Sequence, residues 1–420
     1  MRYEYRFPEL PELKDTSIWV ENRGKRLRTK VEGKCPLWLR VIRRWYFDMF
    51  SFTKPIVQSP DGNFYSLYLP PIPSPAHARM FSSTISSIYF KRPLPLAVTI
   101  GVTTDCQYLC AHCSAAGRSE SASILSLDEL KRVVRECLDL GVSNITFTGG
   151  EPLLRSDLEE CVACVPSELA TSQVFTNGLA LTINRARSLK EAGLHGVQIS
   201  LDSPSPEEHD RLRGMTGAFK AVKEGVKNAL DTGLYVGVST YATKRVALDH
   251  TLVKIVELCH EWGAHEVSVF DAISTGRLRD QEVELLDAPS RKVLLKDAKD
   301  MNRRYRGKLR VVTQTWTNSG HGLSKVIGCL AAHMQFHVTA QGDFAPCDFT
   351  PLSIGNVREK SVAEIWRLLL KHPAYCKRSM NCRMQDPDFR KKYIDTIPEG
   401  ADLPYPIELL ESEKRPQSNS

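Results

Sequence analysis

The sequence predicts an α/β fold: a partial (β/α)6 TIM-like barrel with a basic N-terminal extension and a small cysteine-bearing C-terminal domain. Three observations lead there. From residue 96, six short apolar, β-branched runs alternate with longer helical patterns, as in parallel strands joined by crossover helices. The segments after several of those runs carry glycine, hydroxyl and carboxylate residues, and barrel enzymes keep their chemistry at the carboxyl ends of their strands. Composition also changes on both sides of this stretch. The expected units are a basic, aromatic extension over 1–95, the barrel over 96–305, a domain with the last four cysteines over 306–390, and a partly disordered tail over 391–420.

Leu96–Val102 reads as the first strand. Ser126-Leu-Asp-Glu129 is a capping box, and its helix continues through Val133, Val134, Cys137 and Leu138 until Gly141 ends it. Asn144–Thr148 reads as the second strand, with a short helix over Asp157–Pro166. Then come strand Gln173–Thr176, helix Ile183–Ala192, strand Gly196–Leu201 and helix Phe219–Leu230. Strand Tyr235–Tyr241, helix Leu252–Trp262 and strand Glu266–Phe270 complete the alternation. Residues 272–305 are charged and read as largely helical. Leu309–Gln314 reads as a strand opening the next region, before the glycine-bearing loop Asn318-Ser-Gly-His-Gly322.

A chain of 420 residues can bury a large core and hold more than one domain. No apolar run reaches the ~18 residues needed to span a bilayer. Met1-Arg-Tyr-Glu-Tyr-Arg6 lacks the apolar centre of a signal peptide, so a cytoplasmic location is expected. The net charge of +7 is concentrated: residues 1–95 carry 16 Lys/Arg against 8 Asp/Glu. There the basic residues interleave with aromatics, as in Trp38-Leu-Arg-Val-Ile-Arg-Arg-Trp-Tyr-Phe47. Such a segment suits an anionic peptide, a membrane surface or nucleic acid. The plainer reading is a cover whose aromatics pack on the main domain, and nucleic acid is the least favoured partner.

Of the twelve cysteines, Cys35, Cys137, Cys161, Cys164 and Cys259 lie in or beside apolar patterns and read as small core hydrophobes. The other seven fall in two groups, which favours metal or cluster ligation over disulfides. Cys106, Cys110 and Cys113 have C-x3-C-x2-C spacing directly after the first strand. Three thiolates can hold three irons of a cubane and leave the fourth open to a substrate or cofactor. A zinc site or a closed ferredoxin-type cluster is the alternative for the triad alone, but the next cysteine, Cys137, falls on a helix.

These residues, together with Gly149-Gly-Glu-Pro152, Thr176-Asn-Gly178, Ser200-Leu-Asp-Ser203 and His209-Asp-Arg-Leu-Arg-Gly214, resemble the radical S-adenosylmethionine (radical SAM) superfamily over residues 97–275. His112 stands where that family usually has an aromatic residue. The resemblance implies a [4Fe–4S] cluster on Cys106, Cys110 and Cys113 that binds S-adenosylmethionine and cleaves it to a 5′-deoxyadenosyl radical, which removes a hydrogen atom from substrate. It implies cofactor contacts from Gly149, Gly150, Glu151, Pro152, Asn177, Ser200, Asp202, Arg213 and Thr240. Among these, Glu151 would pair with the methionine ammonium and Arg213 would meet its carboxylate. Gly276-Arg277 follows the sixth strand, and no catalytic side chain is singled out.

Cys329 is followed after twelve residues by Gly342, and four more lead to Cys347. With Ile354-Gly-Asn-Val357, Ile365-Trp366, Cys376 and Cys382, this resembles the SPASM/twitch extension of the same superfamily. The resemblance implies one auxiliary [4Fe–4S] cluster on Cys329, Cys347, Cys376 and Cys382, although the Cys376-x5-Cys382 spacing departs from the better-known pattern. A structural zinc site is the alternative. His321, His333 and His337 flank this region and read as structural residues. The expected activity is that of an oxidoreductase or maturase, acting in maturation of a ribosomal peptide or a cofactor. Its partners would be a peptide or small-molecule substrate and an electron donor such as a flavodoxin or ferredoxin. Alternatives are oxidation of a small molecule, tetrapyrrole or lipid precursor, and, in another class, a non-catalytic metal-binding module with a basic nucleic-acid-binding arm.

Overall fold

The computed structural model describes residues 1–23, 26–59, 61–117, 123–279, 285–313 and 328–412. Its centre is a ten-stranded sheet. Strands β6 (Ala97–Gly101), β7 (Asn144–Thr148), β8 (Thr171–Thr176), β9 (Gly196–Ser200), β10 (Tyr235–Ala242) and β11 (Glu266–Asp271) lie side by side in chain order, all parallel. The expected barrel pattern is present, with each strand within two residues of its expected bounds. Its crossover helices bury alternating apolar faces. In helix Leu127–Asp139, Ser126 and Glu129 make both bonds of the capping box, and Leu130, Val133, Val134, Cys137 and Leu138 point into the core.

The sheet continues past these six strands. Arg310–Thr313 (β12), expected to open a separate region, pairs in parallel with β11. Gln335–Val338 (β13) adds in parallel to the opposite edge, against β6, and Asp343–Ala345 and Gly355–Asn356 extend it antiparallel. The C-terminal segment is therefore hydrogen-bonded directly to the first barrel strand. Residues 391–412, part of the expected tail, are held in place. Tyr405–Pro406 pairs with Leu352–Ser353, and Ile407 and Leu410 are buried in the main core. Residues 413–420 and the loop Asn318–Gly322, with His321, lie outside the described residues.

Residues 1–90 form a unit with its own core. Strands β1 (Arg2–Arg6), β2 (Thr16–Arg23) and β3 (Arg26–Gly33) make an antiparallel meander, followed by helix α1 (Leu37–Thr53), the antiparallel pair β4 (Val57–Ser59) and β5 (Gly62–Phe64), and helix α2 (Pro75–Ile88). The aromatics expected to cover the barrel pack mainly on each other. Tyr5, Tyr46, Phe47, Phe50 and Phe81 surround His77, whose two ring nitrogens meet the hydroxyls of Tyr5 (2.8 Å) and Tyr46 (3.0 Å). Burial holds that imidazole neutral, at a pKa of about 3.

One segment of this unit closes the barrel. Leu67 N–H donates to Glu266 Oε2 (3.3 Å), and Asn144 Nδ2 donates to Leu67 O (3.0 Å). Glu266 also accepts from Gln198 (3.2 Å) and Ser268 (3.2 Å) in a fully buried polar layer. Burial raises its carboxyl above the usual range despite these bonds. The native protein then holds a proton that the unfolded chain releases, so stability falls as pH rises above the unfolded value of about 4.3. Glu266→Gln is expected to remove that fall, so its melting temperature relative to the parent should climb as pH is raised from acid to neutral. A difference that stays constant with pH would contradict this.

Candidate active site

The cysteine triad sits in the loop after β6, and three elements pin that loop through its backbone. The 149–152 turn after β7 donates from Gly150 N to Thr103 O (2.8 Å) and from Glu151 N to Asp105 O (2.7 Å). Helix α6 (Pro206–Arg213) accepts from Ala111 N through Leu212 O (2.8 Å). The segment after β11 contributes Arg277, whose N–H donates to Cys113 O (3.0 Å) and whose Nη1 donates to Cys110 O (2.8 Å). Approach is close enough to require glycine. A Cβ on Gly150 would stand 2.2 Å from Asp105 O, and one on Gly276 2.1 Å from Cys113 O.

The thiols of this loop influence one another. Burial raises Cys106, and Cys110, Glu151 and Cys113 add to that rise. Burial also raises Cys110, while Arg213 beside it works in the opposite direction. Among the described residues no three His, Cys, Asp or Glu side chains are gathered as for a single ion.

The loop opens on a cavity of roughly 700 Å³ lined by the ends of the barrel strands. Gly149, Gly150, Glu151, Asn177, Ser200, Asp202, Arg213 and Thr240 all face it with the three cysteines. Pro152 instead begins the turn Pro152–Leu154, in which Pro152 and Leu153 are buried and Leu154 is exposed. Glu151 is almost wholly buried and its oxygens already accept from Thr176 Oγ1 (2.7 Å), Asn177 N (2.7 Å) and Leu153 N (3.0 Å). It thus ties the second strand's turn to the third's. Arg213 is clamped by Asp202, with Nη2 donating to Oδ1 (2.9 Å) and Nε lying 2.6 Å from Oδ2. His112 stacks on Tyr241 with ring centroids 4.0 Å apart, and burial pulls its pKa down to about 4.

The far wall comes from the C-terminal segment through Gln335, Thr339, Gln341, Asp348 and Phe349. Asp348 bonds to Thr99 Oγ1 on β6, and His337 Nδ1 meets the same hydroxyl (2.8 Å). Behind this wall lie further cysteines. Cys329 and Cys347 share a small buried cluster. Burial raises Cys382, and Cys329 and Cys347 raise it further. Burial likewise pushes Cys347 up to about 12, with Cys329 contributing. Cys376 is exposed, with its thiol 3.7 Å from Pro373 O. Cys329, Cys347 and Cys382 are thus within electrostatic reach of one another, while Cys376 is exposed, as Cys106 is in the other group. His333 and His337 are buried.

Residues 100–267 match the family description "Radical SAM superfamily", and residues 329–391 match SPASM, the "Iron-sulfur cluster-binding domain". These matches identify a radical SAM domain over residues 100–267 and a SPASM domain over residues 329–391. The chain is 28% identical over 285 residues to the AdoMet-dependent heme synthase of Nitratidesulfovibrio vulgaris, covering 63% of this chain and 77% of that one. It is 27% identical over 272 residues to the sporulation killing factor maturation protein SkfB of Bacillus subtilis, covering 65% of each. Among solved structures it resembles Streptococcus suis SuiB bound to S-adenosylmethionine, with a TM-score of 0.57 at 17% identity over 73% of this chain and 77% of that one. At that identity the likeness is one of fold.

A radical SAM domain carries a [4Fe–4S] cluster used with S-adenosylmethionine, and a SPASM domain carries auxiliary iron–sulfur clusters. The residues here fit the first group. Three neighbouring thiols suit a cluster whose irons each take one thiolate. Buried polar atoms at the cavity, Asn177 Nδ2, Thr240 Oγ1 and His112 Nδ1, have no hydrogen-bond partner among the described residues and are free to meet a polar ligand. Sequence reasoning missed the backbone hold of Arg277 and the Thr99–His337–Asp348 contact. The first had a signal in Gly276-Arg277. The second joins positions almost 250 residues apart and left none.

Proposed function

We propose that this radical SAM protein is an oxidoreductase or maturase whose substrate is a peptide, held by the N-terminal unit and modified in the cavity between the cysteine loop and the auxiliary region. Cys106, Cys110 and Cys113 would hold the SAM-binding cluster, and Cys329, Cys347 and Cys382 the auxiliary one. When bound, these groups supply a 5′-deoxyadenosyl radical and a second redox centre suited to net oxidation or crosslinking. The protein binds, orients and excludes water. Thr240 and Asn177 offer their unpartnered atoms to the cofactor, and the polar wall of Gln335, Thr339, Gln341 and Asp348 faces the substrate.

The observation that carries the peptide reading is the surface of residues 1–90. Strand β3 pairs with β2 on one side only among the described strands, and Arg26, Arg28 and Lys30 along it are exposed. Beside it, Leu37, Val41 and Trp45 form an i, i+4, i+8 stripe on α1, at 77%, 61% and 54% exposure, flanked by exposed Arg40 and Arg44. A basic edge strand, its outer side held in part by Arg43 Nη1 on Thr29 O (3.2 Å), beside an apolar, basic helix face suits a peptide with acidic and apolar side chains. Supporting this, a solved SuiB structure is bound to its precursor peptide SuiA and resembles this chain at a TM-score of 0.56. The second reading, a tetrapyrrole or other small molecule, is supported by the likeness to heme synthases.

A displayed library of 12-residue peptides, panned against the anaerobic full-length protein, distinguishes the two. Acidic peptides bearing apolar residues should be retained, their binding should weaken with salt, and Val41→Glu/Trp45→Glu should reduce affinity about tenfold, as loss of a main anchor does. Failure to retain any peptide, with tight porphyrin binding that the double variant leaves intact, would favour the second reading and defeat the first.

A further inference from the structure

The guanidinium of Arg213 makes contacts in two directions. Nη2 donates to Asp202 Oδ1 (2.9 Å), and Nε lies 2.6 Å from Oδ2 as an ion pair without hydrogen-bond alignment. That leaves Nη1, which points at Cys110 Sγ, 3.8 Å away, within reach of an N–H···S hydrogen bond. Both partners of the ion pair are nearly shut off from water, with side-chain exposures of 11% for Arg213 and 1% for Asp202. Asp202 is further fixed by its neighbours. Its backbone N–H donates to His209 Nδ1 (3.1 Å), and His112 Nε2 lies 3.5 Å from its carboxylate. The arginine is therefore anchored on two sides at the cavity wall. It is a donor held rigidly on a cysteine sulfur, with its charge compensated by a buried carboxylate.

We propose that the Arg213–Asp202 pair sets the reduction potential of the cluster on Cys106, Cys110 and Cys113, acting on it through Cys110 Sγ. This assigns Arg213 a different role from the S-adenosylmethionine carboxylate contact expected from its sequence position. An N–H donated to a cluster sulfur stabilises the electron-rich, reduced state and raises the potential. Asp202 has two effects: it holds the donor on the sulfur, and its negative charge opposes reduction. In a low-dielectric site both charges act strongly on their neighbour. The amide oxygen of an asparagine at 202 can still accept from Nη2 and keep the donor in place, so Asp202→Asn removes chiefly the negative charge, and the two charges pull the potential in opposite directions. Arg213 is a positioning and tuning residue, not a catalytic one, and the proposal rests on the radical SAM reading of the cysteine loop.

The test is a potentiometric titration of the anaerobically reconstituted full-length protein, read by electron paramagnetic resonance. The signal that changes on adding S-adenosylmethionine reports this cluster. Arg213→Gln should lower its midpoint. At the parent's midpoint, the ratio of reduced to oxidised cluster should fall at least threefold, about 30 mV for one electron. Asp202→Asn should move it the other way by a similar factor. Arg213→Lys keeps the charge without the fork, should shift less than the glutamine variant, and serves if Arg213→Gln loses its iron. Dissociation constants for S-adenosylmethionine should stay within about twofold of the parent, below the cost of a lost charged hydrogen bond. Shifts of the same sign in Arg213→Gln and Asp202→Asn would overturn the proposal, since general damage to the loop would move both alike. So would an unmoved midpoint with a tenfold loss of S-adenosylmethionine affinity, which would return Arg213 to the carboxylate role. If the parent itself shows no signal that responds to S-adenosylmethionine, the cluster reading has failed, not the assignment of Arg213.

Discussion

Replacing Cys106, Cys110 and Cys113 together by alanine is expected to abolish reductive cleavage of S-adenosylmethionine, a loss on the order of 10³-fold or more. The make-up of the loop is the reason. Its three thiols are the cavity's only cysteines among the described lining residues, and the loop is held by backbone bonds from β7, α6 and the segment after β11. Those bonds involve main-chain atoms or Arg277, so the alanine variant should keep its fold while losing the ligands. Cys110 is the one buried thiol of the three, and its replacement removes a small apolar contact with Tyr108 and Ala218. Circular dichroism should therefore show little change. Iron should fall by about four per chain, one cubane, while the auxiliary region keeps its share. Continued formation of 5′-deoxyadenosine by the variant would refute the assignment of the loop.

The second large effect is expected at Gly150, which bears no reactive group. A single added methyl would stand 2.2 Å from Asp105 O and 2.4 Å from Thr104 O. Real carbon–oxygen contacts do not come that close, so the cysteine loop or the 149–152 turn must move. Both are tied to barrel strands, and the strain of such a site is on the order of 3 kcal/mol. Gly150→Ala should therefore lose the loop's iron and its S-adenosylmethionine cleavage, although every cysteine is present. Gly355→Ala is the control, because its methyl would meet nothing nearer than 3.6 Å and its backbone angle is ordinary. That variant should retain its full iron content. Equal iron in the two variants would show that the close approach of the turn is not what shapes the loop.

Much of the barrel was legible because its signals are local. β-branched runs gave strands β6 to β11, and Ser126 and Glu129 marked a helix start whose two capping bonds are both present. The cysteine spacing and the Gly-Gly-Glu-Pro turn pointed to one face of the molecule, and the cavity there is lined by both. What escaped was non-local. Nothing in Gln335–Val338 announces a partner strand 238 residues earlier, at Ala97–Ile100. The buried layer of Asn144, Gln198 and Glu266 looks, in sequence, like polar residues interrupting strands, and only closure by Leu67 explains it. The same holds for side chains with several possible partners. Position suggested that Glu151 and Arg213 face a ligand; both line the cavity, and what position could not show is that Glu151 is also bonded to Thr176 and Asn177, and Arg213 to Asp202 and Cys110. In the C-terminal segment, spacing could count four cysteines but could not show that Cys376 lies exposed.

Chelation of S-adenosylmethionine at the Cys106–Cys110–Cys113 loop requires one iron without a protein ligand. The most direct measurement is pulsed electron–nuclear double resonance on the reduced, reconstituted protein with S-adenosylmethionine labelled with ¹⁵N at its amino group and ¹⁷O at its carboxylate. Both labels should couple to the cluster, as they must when the methionine end chelates that iron. Absence of both couplings in a protein whose cluster is intact and reduced would contradict that chelation.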